Sequence, residues 1–227
     1  MNKIILSFLL SLLATNCIYA DSASDANSEI KNAMKLKPNL EAGKKTYELC
    51  AACHYNNGWG KEDGSFPVIA SQHKSVIIKQ LADIRARNRE NPTMFPFSGD
   101  DILGGPQGIE DVAGYIAALP ANPKPGTGDG KQLELGKKLY FEKCVACHGQ
   151  KGEGDAKNFF PRIQGQHYAY LLRQLQWIRD GRRKNANPTM LALIKDLDDK
   201  TLAIIADYIS HITVDVISTE KEEKEEK

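Results

Sequence analysis

The sequence predicts a helical fold built twice, as two tandem domains related by internal duplication. Three observations carry this prediction. The string Gly-Lys-Lys-x-Tyr occurs at Gly43 to Tyr47 and again at Gly136 to Tyr140, each time running into a Cys-x-x-Cys-His stretch, and such self-similarity marks a repeat. Beyond each stretch, apolar residues recur at the three- and four-residue spacing of one helical face: Val76, Ile77, Leu81 and Ile84 in the first copy, Leu171, Leu172, Leu175 and Ile178 in the second. The chain also lacks the alternating strand and helix patterns of a sheet-based fold.

In chain order, Met1 to Ala20 begins with Lys3, continues through an apolar run from Ile4 to Leu13, and ends on a small residue before Asp21. This predicts a secretory signal peptide cleaved after Ala20, since the run is too short to span a membrane comfortably. Cys17 falls inside it, and Asn16 is a poor neighbour for a lipidated cysteine. Residues 21–39 read as a polar arm with at most a turn of helix. The first domain is expected over 40–120, a proline- and glycine-rich linker over 121–130, extended at first and then flexible, and the second domain over 131–213. Each domain should close with an amphipathic helix, through Ile109, Val112, Ile116 and Leu119 or through Leu202, Ile205, Ile209 and Ile212. Residues 214–227 form a charged tail, read as solvated.

The chemistry lies in Cys50-Ala51-Ala52-Cys53-His54 and Cys144-Val145-Ala146-Cys147-His148. Two thiols at this spacing can add to the vinyl groups of a porphyrin while the adjacent imidazole reaches its iron. Cys50, Cys53, Cys144 and Cys147 are therefore expected to anchor two covalently bound haem c groups, with His54 and His148 as iron ligands. A zinc ribbon would need its paired cysteines some 15–20 residues apart, roughly, whereas here most of a domain separates the pairs. With Cys17 in the leader, no cysteine is left for a structural disulfide. Two small domains with only 7% aromatic residues would have thin cores, a deficit that a large apolar macrocycle offsets. A net charge of +1 gives no electrostatic basis for nucleic-acid binding.

Asn91-Pro92-Thr93-Met94 recurs as Asn187-Pro188-Thr189-Met190, and the two remaining methionines, Met1 and Met34, both precede the cysteine motifs. A lone methionine is usually core filler. Repetition in an identical frame points instead to Met94 and Met190 as the second axial ligands, each carried on a loop stiffened by proline. His73 and His167 read as surface or helix-start histidines. Most of Arg85, Arg87, Arg89, Arg179, Arg182 and Arg183 read as solvated charges, able to neutralise propionates or guide a partner.

Together these motifs resemble the cytochrome c4 family, dihaem members of the class I cytochromes c, over about Leu40 to Ile212. The resemblance implies an all-α fold of two tandem class I cytochrome c domains, with Cys50, Cys53, Cys144 and Cys147 as thioether anchors, His54 and His148 as proximal ligands, and Met94 and Met190 as distal ligands. It further implies that Pro67 and Pro161 offer carbonyls to the ligand imidazoles, and that Gly43 with Tyr115 and Gly136 with Tyr208 mark crossings of the first and last helices. Tyr55, Ser71 and the longer segment from Phe95 to Pro106 depart from the second half's pattern. The implied function is that of a periplasmic electron carrier, without enzymatic activity, between a quinol-oxidising complex and a terminal oxidase or other periplasmic acceptor. Peripheral membrane association stays open. The rival readings are an electron-transfer subunit of a larger oxidoreductase, such as a flavocytochrome sulfide dehydrogenase, and a dihaem enzyme of the peroxidase or thiosulfate-oxidising type.

Overall fold

The computed structural model describes residues 26–214; the expected leader, the first residues of the arm and the tail from 215 onward lie outside that range. The elements in order are a helical stretch α1 over residues 26–33, then α2 (Leu40–His54), α3 (Lys74–Arg85), a 3-10 turn (Phe95–Phe97), α4 (Asp100–Leu103) and α5 (Pro106–Ala118). The second half supplies α6 (Leu133–Lys143), α7 (Val145–His148), α8 (Tyr168–Arg179), α9 (Pro188–Ile194) and α10 (Asp199–Ser210). Among the described residues the only extended pairing is an isolated bridge between Asp155 and Phe160. No described helix is long and apolar enough to cross a membrane.

Each half is a three-helix packing in which the first and last helices cross. Asn39 caps α2 by accepting from the backbone N–H groups of Glu41 and Ala42, and Asp198 caps α10 by accepting from Thr201, satisfying donors that the first turn leaves unpaired. The crossings fall on glycine as expected: a Cβ on Gly43 would lie 2.1 Å from the Asp111 carbonyl oxygen, and one on Gly136 would lie 2.6 Å from Tyr208 Cβ. Around them, Tyr47, Ile77, Ile78, Ile109 and Val112 form one core, while Tyr140, Leu171, Leu175, Leu202 and Ile205 form the other.

Several segments are more ordered than their composition suggests. Residues 26–33, within the arm read as polar, bury Ala26, Ile30 and Ala33, and the last two join the first-half core. The expected flexible end of the linker is instead tied to α10: Gly128 N–H donates to Ser210 Oγ and Gly130 N–H to Asp207 Oδ2. A side chain at 128 would meet that carboxylate at 2.3 Å, so glycine is what permits the approach. The long segment of the first half contains the 3-10 turn and α4, and Arg85 holds both through the carbonyls of Ser98 and Gly104 and an ion pair to Asp100, while a second ion pair joins it to Glu29 of α1.

The halves meet through polar contacts that obey the repeat. Arg89 hydrogen-bonds Gln80, and its repeat equivalent Arg183 hydrogen-bonds Gln174, the equivalent of Gln80. Arg183 and Asn185 also reach across to Gln80, and Asn185 to Asp83. Arg89 donates to the Tyr170 hydroxyl at 3.1 Å from the opposite side. Burial tends to raise that phenol, but Arg89, Arg183 and Arg173 outweigh it and hold it below its usual value. Burial and the facing Arg89 push Arg183 down to about 10. The expectation that most of these arginines are solvated is therefore corrected: Arg85, Arg89, Arg179 and Arg183 are partly buried, and only Arg87 and Arg182 of the six are exposed. Arg87 lies 3.8 Å over the Phe95 ring and Arg182 lies over Trp177, while Arg179 bonds the Leu197 carbonyl and pairs with Asp180 and Asp199.

Candidate functional site

Each half presents its Cys-x-x-Cys-His stretch at a helix end. Cys50, Cys53 and His54 occupy the last turns of the unbroken α2; in the second half the chain breaks at Cys144, between α6 and α7, and then delivers Cys147 and His148. The residue after each histidine turns the chain at positive φ, 63° at Tyr55 and 78° at Gly149. Ser71, at 58°, likewise adopts the backbone of Gly165, at 70°. The two departures thus keep the geometry of glycine at the cost of backbone strain. A buried phenol secures each post-histidine turn: Tyr47 OH donates to the Tyr55 carbonyl at 2.7 Å and Tyr140 OH to the Gly149 carbonyl at 2.6 Å. Burial raises both phenol pKa values, so both remain protonated donors.

The two histidines are buried, at 4% and 8% exposure. His54 Nδ1–H donates to the Pro67 carbonyl and His148 Nδ1–H to the Pro161 carbonyl, both at 3.0 Å. Burial lowers both imidazole pKa values, and the carbonyl contact opposes this only in part. The result is a neutral ring with its proton on Nδ1, which leaves the Nε2 lone pair free to coordinate a metal. All four cysteines are unpaired and partly buried. Burial pushes the Cys50 and Cys144 thiols up to about 11, a setting that suits an uncharged thioether sulfur better than a thiolate. Paired sulfurs, an oriented neutral imidazole and a surrounding apolar core fit two covalently attached haem c groups.

The methionines are placed differently in the two halves. Met94 sits in a turn, its N–H shared between the side-chain and backbone oxygens of Asn91, whereas Met190 lies within α9, capped by Asn187. The divergence begins one residue later. Leu191-Ala192-Leu193-Ile194 continues the helix, while Pro96 removes the N–H that a continuing helix would need and leaves only a 3-10 turn. The stiff loop expected around both methionines is therefore a helix in the second half. Met190 and Cys144 pack on the same core; Cys50 packs on the first-half core, while half-buried Met94 lies outside that cluster.

His73 and His167 do stand at helix starts, yet His167 is not a surface residue: it is 1% exposed. Its Nε2 bonds the Trp59 carbonyl at 2.7 Å and its Nδ1 accepts from Gly126 N–H, while His73 Nε2 bonds the Glu153 carbonyl, again at 2.7 Å. Both span the two halves. Tyr47 and Tyr140 as turn anchors, and Arg85 and Arg179 as clamps on the segments after each methionine, had one signal in the sequence: each occupies the same place in both copies.

Comparison with known proteins places these features in a family. The cytochrome c family model matches residues 40–120 and again 133–213. Cytochrome c4 of Azotobacter vinelandii is 30% identical over 92% of this chain and 98% of its own length. A thiosulfate dehydrogenase electron acceptor from Stutzerimonas stutzeri is 31% identical over 72% of this chain and 78% of its own. The crystal structure of reduced recombinant cytochrome c4 from Pseudomonas stutzeri superposes with a TM-score of 0.69 at 27% identity, covering 77% of this chain and 99% of that one.

Proposed function

Given that this chain belongs to the cytochrome c family, and within it to the dihaem cytochrome c4 proteins, we propose that it is a periplasmic electron shuttle with both irons closed by histidine and methionine. Cys50 with Cys53 and Cys144 with Cys147 hold the two groups, His54 and His148 ligate from one side, and Met94 and Met190 from the other. The observation that carries this reading is the matched contact of His54 and His148 with the Pro67 and Pro161 carbonyls, which fixes each ring with Nε2 free.

Bound haem supplies one-electron iron redox chemistry. The chain's part is to fill every coordination position, so that the iron changes oxidation state with little ligand movement and leaves no place for a substrate. A soft thioether opposite an imidazole also raises the potential relative to two imidazoles. The signal peptide expected over Met1 to Ala20 would deliver the chain to the periplasm, where a quinol-oxidising complex would be its donor and a terminal oxidase its acceptor. The related thiosulfate dehydrogenase electron acceptor favours a second reading of the donor, a periplasmic thiosulfate-oxidising enzyme.

The test is spectroscopic. Met94→His and Met190→His should each convert one haem of two to bis-histidine absorption and magnetic signatures and lower its potential, and the reduced wild type should not take up carbon monoxide rapidly at either haem. Rapid carbon monoxide binding to wild type, or a methionine variant that leaves both spectra unchanged, would overturn the assignment.

A further inference from the structure

The proline carbonyls that orient the imidazoles lie on two short loops, and each loop is held from the opposite half. Val68, next to Pro67, donates its N–H to Gln166 Oε1 at 3.0 Å, and its carbonyl accepts from Gln166 Nε2 at 2.8 Å. Arg162, next to Pro161, donates its N–H to Gln72 Oε1 at 2.9 Å, and its carbonyl accepts from Gln72 Nε2, also at 2.9 Å. Gln72 and Gln166 occupy equivalent places in the repeat, as do Val68 and Arg162. Each amide therefore engages both backbone groups of one residue in the other half, as a neighbouring strand would. Each amide oxygen also accepts from the backbone of its own following histidine, His73 or His167, which steadies the side chain from behind. The two clamps are reciprocal.

A two-point contact on residue 68 restricts rotation of the peptide plane that joins it to Pro67, and that plane contains the Pro67 carbonyl on which His54 is hung. The same holds for Gln72, Arg162, Pro161 and His148. Groups that accept a ligand imidazole's second N–H set both ring orientation and basicity. We propose that Gln72 and Gln166 are positioning residues acting in trans: Gln166 tunes the haem on Cys50 and Cys53, and Gln72 tunes the haem on Cys144 and Cys147. The reading rests on His54 and His148 being the iron ligands. It makes the redox properties of each half depend on its being docked to the other.

The test uses the mature holoprotein. Gln166→Met should change the oxidised-to-reduced ratio of the first haem about threefold at fixed potential, about 28 mV for a one-electron couple, while the second haem moves less than half as far. Gln72→Met should give the mirror image. Solvent exchange of the Nδ1 proton should quicken at His54 in the first variant and at His148 in the second. Ser75→Ala is the control: it deletes another bond between the halves, from Ser75 Oγ to the Ala156 carbonyl at 2.6 Å, without touching either proline loop, and should leave both haems and both exchange rates unchanged. If a methionine variant does not mature, Gln166→Asn and Gln72→Asn withdraw the amide by one methylene and should give the same crossed pattern. A shift in the haem of the mutated half, equal shifts in both, no shift, or the same effect from Ser75→Ala would overturn the proposal. Wild-type spectra without a histidine and methionine pair would instead refute the ligand assignment, with the Nδ1 exchange pattern still judging the clamp.

Discussion

Replacing Gly43 or Gly136 with alanine separates two causes that predict opposite signs. Judged by helix propensity alone, each change should stabilise the protein by about 1 kcal/mol, since glycine is a poor residue inside a helix. The crossings predict the reverse. At position 43 the added carbon would meet the Asp111 carbonyl oxygen at 2.1 Å; at position 136 it would meet Tyr208 Cβ at 2.6 Å and the Ile204 carbonyl oxygen at 2.7 Å. Ordinary contacts begin about 1 Å further out, and what stands in the way is backbone or Cβ, which no rotamer change can move. Asp111 is further pinned because its carboxylate accepts from the backbone N–H of Asn39 at 2.8 Å, tying α5 to the start of α2. Overpacking of this kind costs about 3 kcal/mol at the upper end of its usual range, so the net loss is about 2 kcal/mol for each variant. For a chain of this size that corresponds to a fall in melting temperature of about 4–8 °C, measured on holoprotein by circular dichroism, with amide exchange assigning the loss to the mutated half. A variant as stable as wild type, or more stable, would refute the close helix crossing.

Tyr47→Phe and Tyr140→Phe each remove a buried hydroxyl that holds the turn after the histidine, at a cost of about 1 kcal/mol in unfolding free energy from denaturant titration. Tyr47→Phe should cost less, because freeing the turn lets Tyr55 relax from a positive φ that Gly149 adopts without strain; a larger loss than for Tyr140→Phe would contradict that ranking. Asp198, held below its usual carboxyl value by the Thr201 hydroxyl and N–H, contributes stability that is complete above the unfolded-state value near 4 and is lost as pH falls through the lower folded value. Asp198→Asn should keep the helix cap and flatten the acid limb of melting temperature against pH below about 5; an unchanged limb would exclude Asp198 as a source.

The parts legible in the sequence were those written in local spacing. Helical periodicity placed α3, α5, α8 and α10, the paired Gly-Lys-Lys-x-Tyr strings marked the duplication, and the family resemblance anticipated the crossings at Gly43 and Gly136. What the sequence hid depended on which polar residue of one half meets which of the other. Nothing local distinguishes Arg183, bonded to Gln174 and Gln80, from Lys184 beside it, and nothing near His167 announces that its ring will bond the Trp59 carbonyl. Ala26, Ile30 and Ala33 do follow helical spacing, but two alanines and one isoleucine in a short polar stretch make a weak apolar signal. The linker misled for a related reason: its glycines read as freedom, whereas Gly128 and Gly130 let backbone N–H groups approach Asp207 and Ser210.

Duplication constrains the two sides of each proposed iron site unequally. On the histidine side the halves cannot diverge independently, because the Pro67 and Pro161 loops are each clamped from the other copy, and a change in either glutamine or its loop would disturb the partner's imidazole. The imidazole contacts accordingly agree at 3.0 Å in both halves, even though Tyr55 and Ser71 replace glycines beside the first. On the methionine side no such reciprocity operates among the described residues. Each segment is held within its own half, by Arg85 in one and by Arg179 in the other, and the same Asn-Pro-Thr-Met tetrapeptide leads into a proline-broken turn in the first half and a helix in the second. A difference in potential between the two haems is therefore expected to originate in the segments that follow Met94 and Met190, where the two halves differ, rather than at the histidines that the interface holds alike.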